Sequence, residues 1–350
     1  MRCVNVKTPS KSYDAVIGND LIPQTGTFAR ECFGIRSAVI VTDDNVGALY
    51  GNAVKKSLTD AGFNVFYMVI PHGEKSKNPD TLIEILEFFA SCPLTRTDIA
   101  VALGGGVIGD ITGLASSMYL RGIRYIQMPT TVLSAVDSSV GGKCAVNLKA
   151  GKNLAGAFWQ PSLVLCDYSS FDTLSDELFA DGCAEIIKYG VLDDAALFDS
   201  LKNHVSKQQE SVIAKCVAMK RDIVNVDETD VGIRQILNLG HTAAHAFEKC
   251  SDFKIPHGKA VAAGMVTAAR ASEKMGICKE KNCAEKITEL LNLYNLPSKF
   301  DEYSPAQLCE AALSDKKRSG GAITLVLPVR IGECVLHKID VTELIKFFER

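Results

Sequence analysis

The pattern of apolar and polar positions divides this 350-residue chain into two textures. Up to about residue 170, short apolar runs alternate with amphipathic stretches. Runs at 3–7 and 13–17, on either side of Pro9-Ser10-Lys11, read as the strands of a hairpin. Buried-type strands follow at 38–42, 65–70, 99–103, 125–128 and 163–166, with helices at about 50–61 and 81–90. Strands alternating with helices predict a parallel sheet with right-handed crossovers. After about residue 172 the strand signals fade, and helical patterns run over 176–189, 210–226, 232–249 and 259–275. A late strand-like run at 322–328 either returns to the sheet or pairs with 333–338. The expected class is α/β: a Rossmann-like parallel-sheet domain over 1–170 and a mainly helical domain over 171–350. The boundary falls within 167–175, and the cleft between the domains is the expected place for a small-molecule site.

Composition narrows the function classes. The chain is 47% hydrophobic and 23% charged, with a net charge of −3. That balance argues against a nucleic-acid binder, which needs a basic face. The N-terminus has no apolar signal core, and no stretch reaches the length of a membrane span, so a cytoplasmic protein is expected. The 12 cysteines are scattered singly, with no Cys-x-x-Cys pair, which reads as small core residues in a reducing compartment.

Three groups of residues carry candidate chemistry. The stretch 100–110, AVALGGGVIGD, is an apolar run ending in glycines and leading into a helix-compatible segment. Gly104, Gly106 and Gly109 satisfy the strand–glycine–helix pattern of a dinucleotide-binding turn, where a β-carbon would keep the backbone from a pyrophosphate. Such turns also occur without a ligand. His241 and His245 lie four apart on one helical face, and His257 follows Pro256 at a predicted helix start. Neutral imidazoles suit zinc, but the spacing also fits two polar-face histidines and a capping one. Lys143, Lys152, Lys188, Lys220, Arg234 and the pair Lys316-Lys317 include several that sit beside apolar or glycine-rich runs, as in a phosphate or carboxylate pocket. Pro129-Thr130-Thr131 and Asp137-Ser138-Ser139 suit a ribose or polyol, and equally suit turns and caps.

Together these segments resemble the 3-dehydroquinate synthase family of sugar phosphate cyclases. The resemblance rests on Gly104-Gly105-Gly106-Val107-Ile108-Gly109-Asp110, Met128-Pro129-Thr130-Thr131, Asp137-Ser138-Ser139-Val140-Gly141-Gly142-Lys143 and Gly151-Lys152-Asn153-Leu154. It continues through Ala184-Glu185-Ile186-Ile187-Lys188-Tyr189-Gly190, Asn238-Leu239-Gly240-His241-Thr242, His257-Gly258-Lys259-Ala260-Val261 and Asp315-Lys316-Lys317. It implies a lyase that turns 3-deoxy-D-arabino-heptulosonate 7-phosphate into 3-dehydroquinate and phosphate. The implied course is transient NAD-dependent oxidation at C5, phosphate elimination, reduction, ring opening and aldol closure, with no net redox. The implied metal, zinc or cobalt, has Glu185, His241 and His257 as ligands. His245 is the implied proton-handling histidine. Lys152, Asn153, Arg121 and Lys316 are implied phosphate contacts, with Arg121 supplied to the neighbouring subunit of a homodimer. Lys188, Lys220, Arg234 and Asn238 are implied to hold the carboxylate and hydroxyls, with Lys143 and Asp137 in the same cleft. The implied NAD site comprises Asp43, Asn45, Glu74, Lys77, Gly105, Gly106, Val107, Asp110, Thr130, Thr131 and Thr173, with Lys143 and Lys152 beside them.

The chain departs from the family pattern in places. Asp230 stands four before Arg234, where a glutamate considered for proton transfer is usual. Ala243-Ala244 replace Phe-Gly, and Cys144 replaces a threonine. Two other enzyme classes remain as rivals. One is a cyclase of the 2-deoxy-scyllo-inosose or valiolone type. The other is a metal-dependent polyol or glycerol dehydrogenase, which would reduce NAD stoichiometrically. An NAD-binding protein without catalysis is the non-enzymatic alternative, and an absence of bound metal would favour it.

Overall fold

The computed structural model describes residues 1–316 and 321–349. The chain forms two compact units, Met1–Leu174 with Ile213–Thr229, and Ser175–Val212 with Asp230–Arg350.

The first unit is built on a seven-stranded sheet. Its strands are β1 (Arg2–Lys7), β2 (Ser12–Gly18), β3 (Ser37–Asp43), β4 (Asn64–Ile70), β5 (Ile99–Gly104) and β6 (Arg124–Pro129). A separate ribbon, β7 (Lys143–Leu148) and β8 (Gly151–Phe158), precedes the last sheet strand, β9 (Leu163–Asp167). The order across the sheet is β1-β2-β9-β6-β5-β3-β4. All neighbours are parallel except β1 and β2, whose hairpin adds to the edge next to β9. β5 and β9 are buried along their whole length, and β3 along nearly all of it, so they read as continuous apolar runs.

Side-chain alternation along these strands fills two cores. Val39, Val41, Ala100 and Ala102 face one cluster, which includes Ile85 and Phe89 of α3 (Pro79–Ser91) and Ile111 of α4 (Gly106–Met118). Ala38, Ile40, Val101 and Leu103 face the other, with Ala29 of α1 (Thr25–Phe33) and Leu58 of α2 (Asn52–Asp60).

The second unit is mainly helical. It holds α5 (Asp176–Asp193), α7 (His241–Cys250), α8 (His257–Lys274), α9 (Cys283–Leu293) and α10 (Pro305–Lys316), and a hairpin of β10 (Ala322–Arg330) and β11 (Glu333–Asp340). The hairpin alternative for 322–338 is therefore the one adopted. α6 (Gln209–Val226) begins in this unit and continues into the first. Among the described residues, no helix is long and apolar enough to cross a membrane.

Two sequence expectations are corrected. A single cut near residue 170 misses the return of 213–229 to the sheet unit, which places Lys220 in that unit and not in the mainly helical one. The return is fastened by Glu228, whose carboxylate accepts from Thr8 Oγ1 at 3.0 Å, Ser10 N at 3.1 Å and Gln160 Nε2 at 2.9 Å. Residues 143–158, to which the apolar pattern assigns no element, form an antiparallel ribbon. Finally, 232–249 is not one helix. A 3-10 turn, Ile233–Asn238, ends before Gly240, whose φ of +79° breaks the run. Any side chain at Gly240 would bring a Cβ to 2.8 Å from Met265 N, so the close approach of α8 demands glycine there.

Candidate functional site

In the second unit, three side chains from three helices converge. Glu185 lies in the middle of α5, and its carboxylate has no solvent exposure. His241 is the first residue of α7, placed there by the break at Gly240. His257 is the first residue of α8, after Pro256. His241 Nε2 lies 3.6 Å and His257 Nε2 3.2 Å from Glu185 Oε1. One ligand atom from each of the three falls within 4.8 Å of the others, so a single ion could meet all three. Two imidazoles and a carboxylate are a donor set that suits catalytic zinc, with a position left for substrate.

The electrostatics of the two imidazoles differ. Burial, then the charge of Lys188, hold the His241 imidazole down at about 3, so it stays neutral and able to donate a lone pair. Burial alone would also lower His257. Hydrogen bonds to Glu185 and Glu248, with their charges, outweigh it and push this imidazole up to about 10. Lys188, one turn after Glu185, pairs with Glu185 Oε2 at 2.5 Å and is itself only 1% exposed. Glu248 Oε1 lies 3.4 Å from His257 Nδ1.

The other second-unit candidates lie close in sequence to these. The His245 ring centroid is 5.7 Å from that of His241, and His245 is exposed. Arg234 is buried in the turn before α7, Asn238 is exposed at the end of that turn, and Asp230 has a left-handed backbone with φ +61°. Lys317 and the side chain of Lys316 lie outside the described residues.

In the first unit, the glycine turn leads from β5 to α4. Gly105 caps α4 with no side-chain hydrogen bond, so the helix N-terminus keeps its N–H groups for another acceptor. A Cβ on Gly105 would meet Thr131 at 3.2 Å, and one on Gly106 would meet Ser138 Oγ at 3.3 Å. Nearby Thr130 Oγ1 is buried with no hydrogen-bond partner among the described residues. Val107 is half-buried on the first turn of α4. These features fit a nucleotide phosphate over the turn. Asp43, at the end of β3, accepts from Val46 N at 2.8 Å; burial raises its carboxyl above the usual range. Asn45 is exposed beside it. Thr173 Oγ1 is 2.7 Å from the Tyr50 hydroxyl, and Glu74 Oε1 accepts from Asn147 at 2.7 Å.

Two buried lysines organise the remainder of the first-unit set. Lys77 Nζ reaches Asp110 Oδ2 at 2.5 Å and Asn153 Oδ1 at 2.6 Å, joining the loop after β4, the helix α4 and the ribbon. Burial raises the Asp110 carboxyl, with Lys77 pulling the other way. Lys220 of α6 pairs with the Asp137 carboxylate and donates to its backbone carbonyl at 2.7 Å. Lys143 is exposed at the start of β7, Lys152 is half-buried in β8, and Arg121 is exposed on a turn with left-handed backbone at Leu120 and Arg121.

Sequence reasoning missed Glu248. The signal was available: His241, His245 and Glu248 fall at i, i+4 and i+7, one stripe of one helix.

Comparison with known proteins assigns the family. A 3-dehydroquinate synthase N-terminal model matches residues 67–181, and a 3-dehydroquinate synthase C-terminal model matches residues 182–318. The chain is 40% identical to a 3-dehydroquinate synthase of Clostridium acetobutylicum, over 99% of both chains. Among solved structures, a 2-deoxy-scyllo-inosose synthase complexed with carbaglucose-6-phosphate, NAD+ and Co2+ superposes with a TM-score of 0.87 at 25% identity, covering 99% of this chain and 98% of that one. A 2-epi-5-epi-valiolone synthase of Streptomyces hygroscopicus with NAD+ and Zn2+ gives 0.86 at 27% identity, covering 98% and 97%. With both family models matched in order and a relative aligned end to end, this chain belongs to the 3-dehydroquinate synthase family.

Proposed function

We propose that this chain is a 3-dehydroquinate synthase, a lyase of the shikimate pathway that converts 3-deoxy-D-arabino-heptulosonate 7-phosphate to 3-dehydroquinate and phosphate. The observation that carries the reading is the convergence of Glu185, His241 and His257 in a chain of this family. Bound NAD and a divalent metal, zinc or cobalt, supply transient hydride acceptance and Lewis acidity. The cyclases that resemble this chain hold NAD+ with Co2+ or Zn2+, which supports the same pair here.

The protein's own groups then have separate tasks. Glu185, His241 and His257 hold the metal. The N-terminus of α4, with Gly105, Gly106 and Val107, takes the pyrophosphate, and Asp43 takes ribose hydroxyls. Asn45, Glu74, Thr130, Thr131 and Thr173 complete the nucleotide's surroundings. Lys77 and Asp110 neutralise each other and brace Asn153, which with Lys152 meets the substrate phosphate. Lys188, Arg234 and Asn238 are assigned to the substrate carboxylate and hydroxyls, as are Lys220, Lys143 and Asp137. His245 takes and returns the proton that moves as phosphate leaves. Asp230 is a second proton-handling carboxylate, one methylene shorter than the family's glutamate.

Arg121 is exposed on its strained turn, which supports its donation to a second copy in a homodimer. A dimer by light scattering, in which Arg121→Ala and His245→Ala chains mixed together regain activity, tests that point. A cytoplasmic location fits the absence of disulfides among the described cysteines. The reaction itself is tested by phosphate release from the heptulosonate phosphate with NAD present. The structural likeness to inosose and valiolone synthases keeps a second reading, in which glucose 6-phosphate or sedoheptulose 7-phosphate alone gives product.

A further inference from the structure

We propose that Glu248 is the positioning carboxylate of the metal centre, fixing the tautomer and the ring orientation of His257. The proposal rests on the metal-site reading of Glu185, His241 and His257. His257 lies between two carboxylates: Nε2 is 3.2 Å from Glu185 Oε1, and Nδ1 is 3.4 Å from Glu248 Oε1. A ring that gives the Nε2 lone pair to a metal carries its proton on Nδ1, and that proton needs an acceptor. Glu248 is the acceptor in place. His241 obeys the same logic with a different partner, its Nδ1 lying 3.1 Å from the Leu239 carbonyl.

Glu248 is held where a carboxylate is costly. It is 4% exposed, and it lies in the last turn of α7, where the helix dipole disfavours a negative charge. The chain is also bent to serve this contact. Its backbone carbonyl accepts from Phe253 N at 2.7 Å and Ser251 Oγ at 2.8 Å. Asp252 and Phe253 both adopt φ of +58°, and this tight reversal returns the chain to Pro256 and His257. One ten-residue helix thus carries a metal ligand at its first position and, two turns on, the buttress for another ligand.

The test compares wild type, Glu248→Gln and Glu248→Ala in the full chain. Zn2+ affinity is measured by competition with a chromophoric chelator, Co2+ spectra report the ligand field, and thermal melts of the metal-free forms report folding. Glu248→Ala is expected to bind Zn2+ about 100-fold more weakly, and Glu248→Gln, which keeps an acceptor oxygen, about tenfold more weakly. The Co2+ bands should shift in both variants. Wild-type affinity in both variants, or equal loss in both, overturns the proposal. If Glu248→Ala does not fold, Glu248→Gln decides: a tenfold loss with an unchanged metal-free melt supports it, and an unchanged affinity overturns it. A wild-type chain that binds no Zn2+ or Co2+ at all overturns the metal reading and the proposal with it, and is recognised as such because no variant is then needed.

Discussion

Lys188 and Glu185 sit one helical turn apart on α5 and pair at 2.5 Å, with side-chain exposures of 1% and 0%. Neither charge has water to fall back on. Their pairing gives the buried Glu185 carboxylate a counter-charge while leaving its other oxygen facing His241 and His257. Replacing the cation should therefore damage the fold before it damages recognition. Lys188→Met is expected to cost the metal-free protein about 3–5 kcal/mol in urea unfolding, and bound Zn2+ should recover part of it. A loss below about 1 kcal/mol would mean that Glu185 is not held as a charge.

Removing a ligand should act on metal content directly. Glu185→Gln and His257→Ala are each expected to lose at least tenfold in Zn2+ affinity, and exhaustive dialysis against a chelator should silence the wild type until Zn2+ or Co2+ is restored. Elemental analysis before and after dialysis checks this. Full metal content in Glu185→Gln would contradict it.

Gly258 permits the helix contact that sets His257. A Cβ there would lie 1.9 Å from the Asp181 backbone oxygen of α5. Gly258→Ala must push α8 from α5, and overpacking of this kind costs about 1–3 kcal/mol. The melting temperature should fall and Zn2+ affinity should fall with it, since His257 is the preceding residue. A variant that melts like wild type would show that the two helices are not in this contact.

Buried thiols should make the protein sensitive to alkali. Burial pushes Cys144 from the ordinary 9.0 up to about 12, and raises Cys166, Cys183, Cys283 and Cys334 as well. Between the unfolded and folded values the native thiol keeps a proton that the unfolded chain has lost. Stability thus falls as pH rises above the unfolded value of 9.0, by about 1.4 kcal/mol per pH unit for each such thiol. Urea midpoints measured under reducing conditions from neutral to alkaline pH check the slope. A flat profile would contradict it.

The sheet unit was legible because β3, β5 and β9 are almost wholly buried, and an uninterrupted apolar run needs no tertiary knowledge to recognise. The histidines were legible for a related reason, since residues 241, 245 and 257 stand at helical spacing and after a proline. What escaped depends on contacts distant in sequence. The return of 213–229 hangs on Glu228 meeting Thr8, Ser10 and Gln160, over 200 residues away in the first two cases. The break at Gly240 is imposed by α8, not by local propensity, because an isolated glycine is compatible with a helix interior. The ribbon at 143–158 escaped because its glycines and lysines weaken the strand pattern, and only the pairing of its two halves defines it. Glu248 looked like one more acidic residue near a helix end, and only its burial against His257 gives it a role.

The most direct test of the central claim is a single assay of phosphate and NADH together. The purified chain is given 3-deoxy-D-arabino-heptulosonate 7-phosphate, a catalytic quantity of NAD and Zn2+ or Co2+. Phosphate should be released in step with substrate consumed, NADH should not accumulate, and both omission of NAD and addition of chelator should stop the release. Phosphate released only from glucose 6-phosphate or sedoheptulose 7-phosphate, or NADH formed once per turnover, would contradict the account.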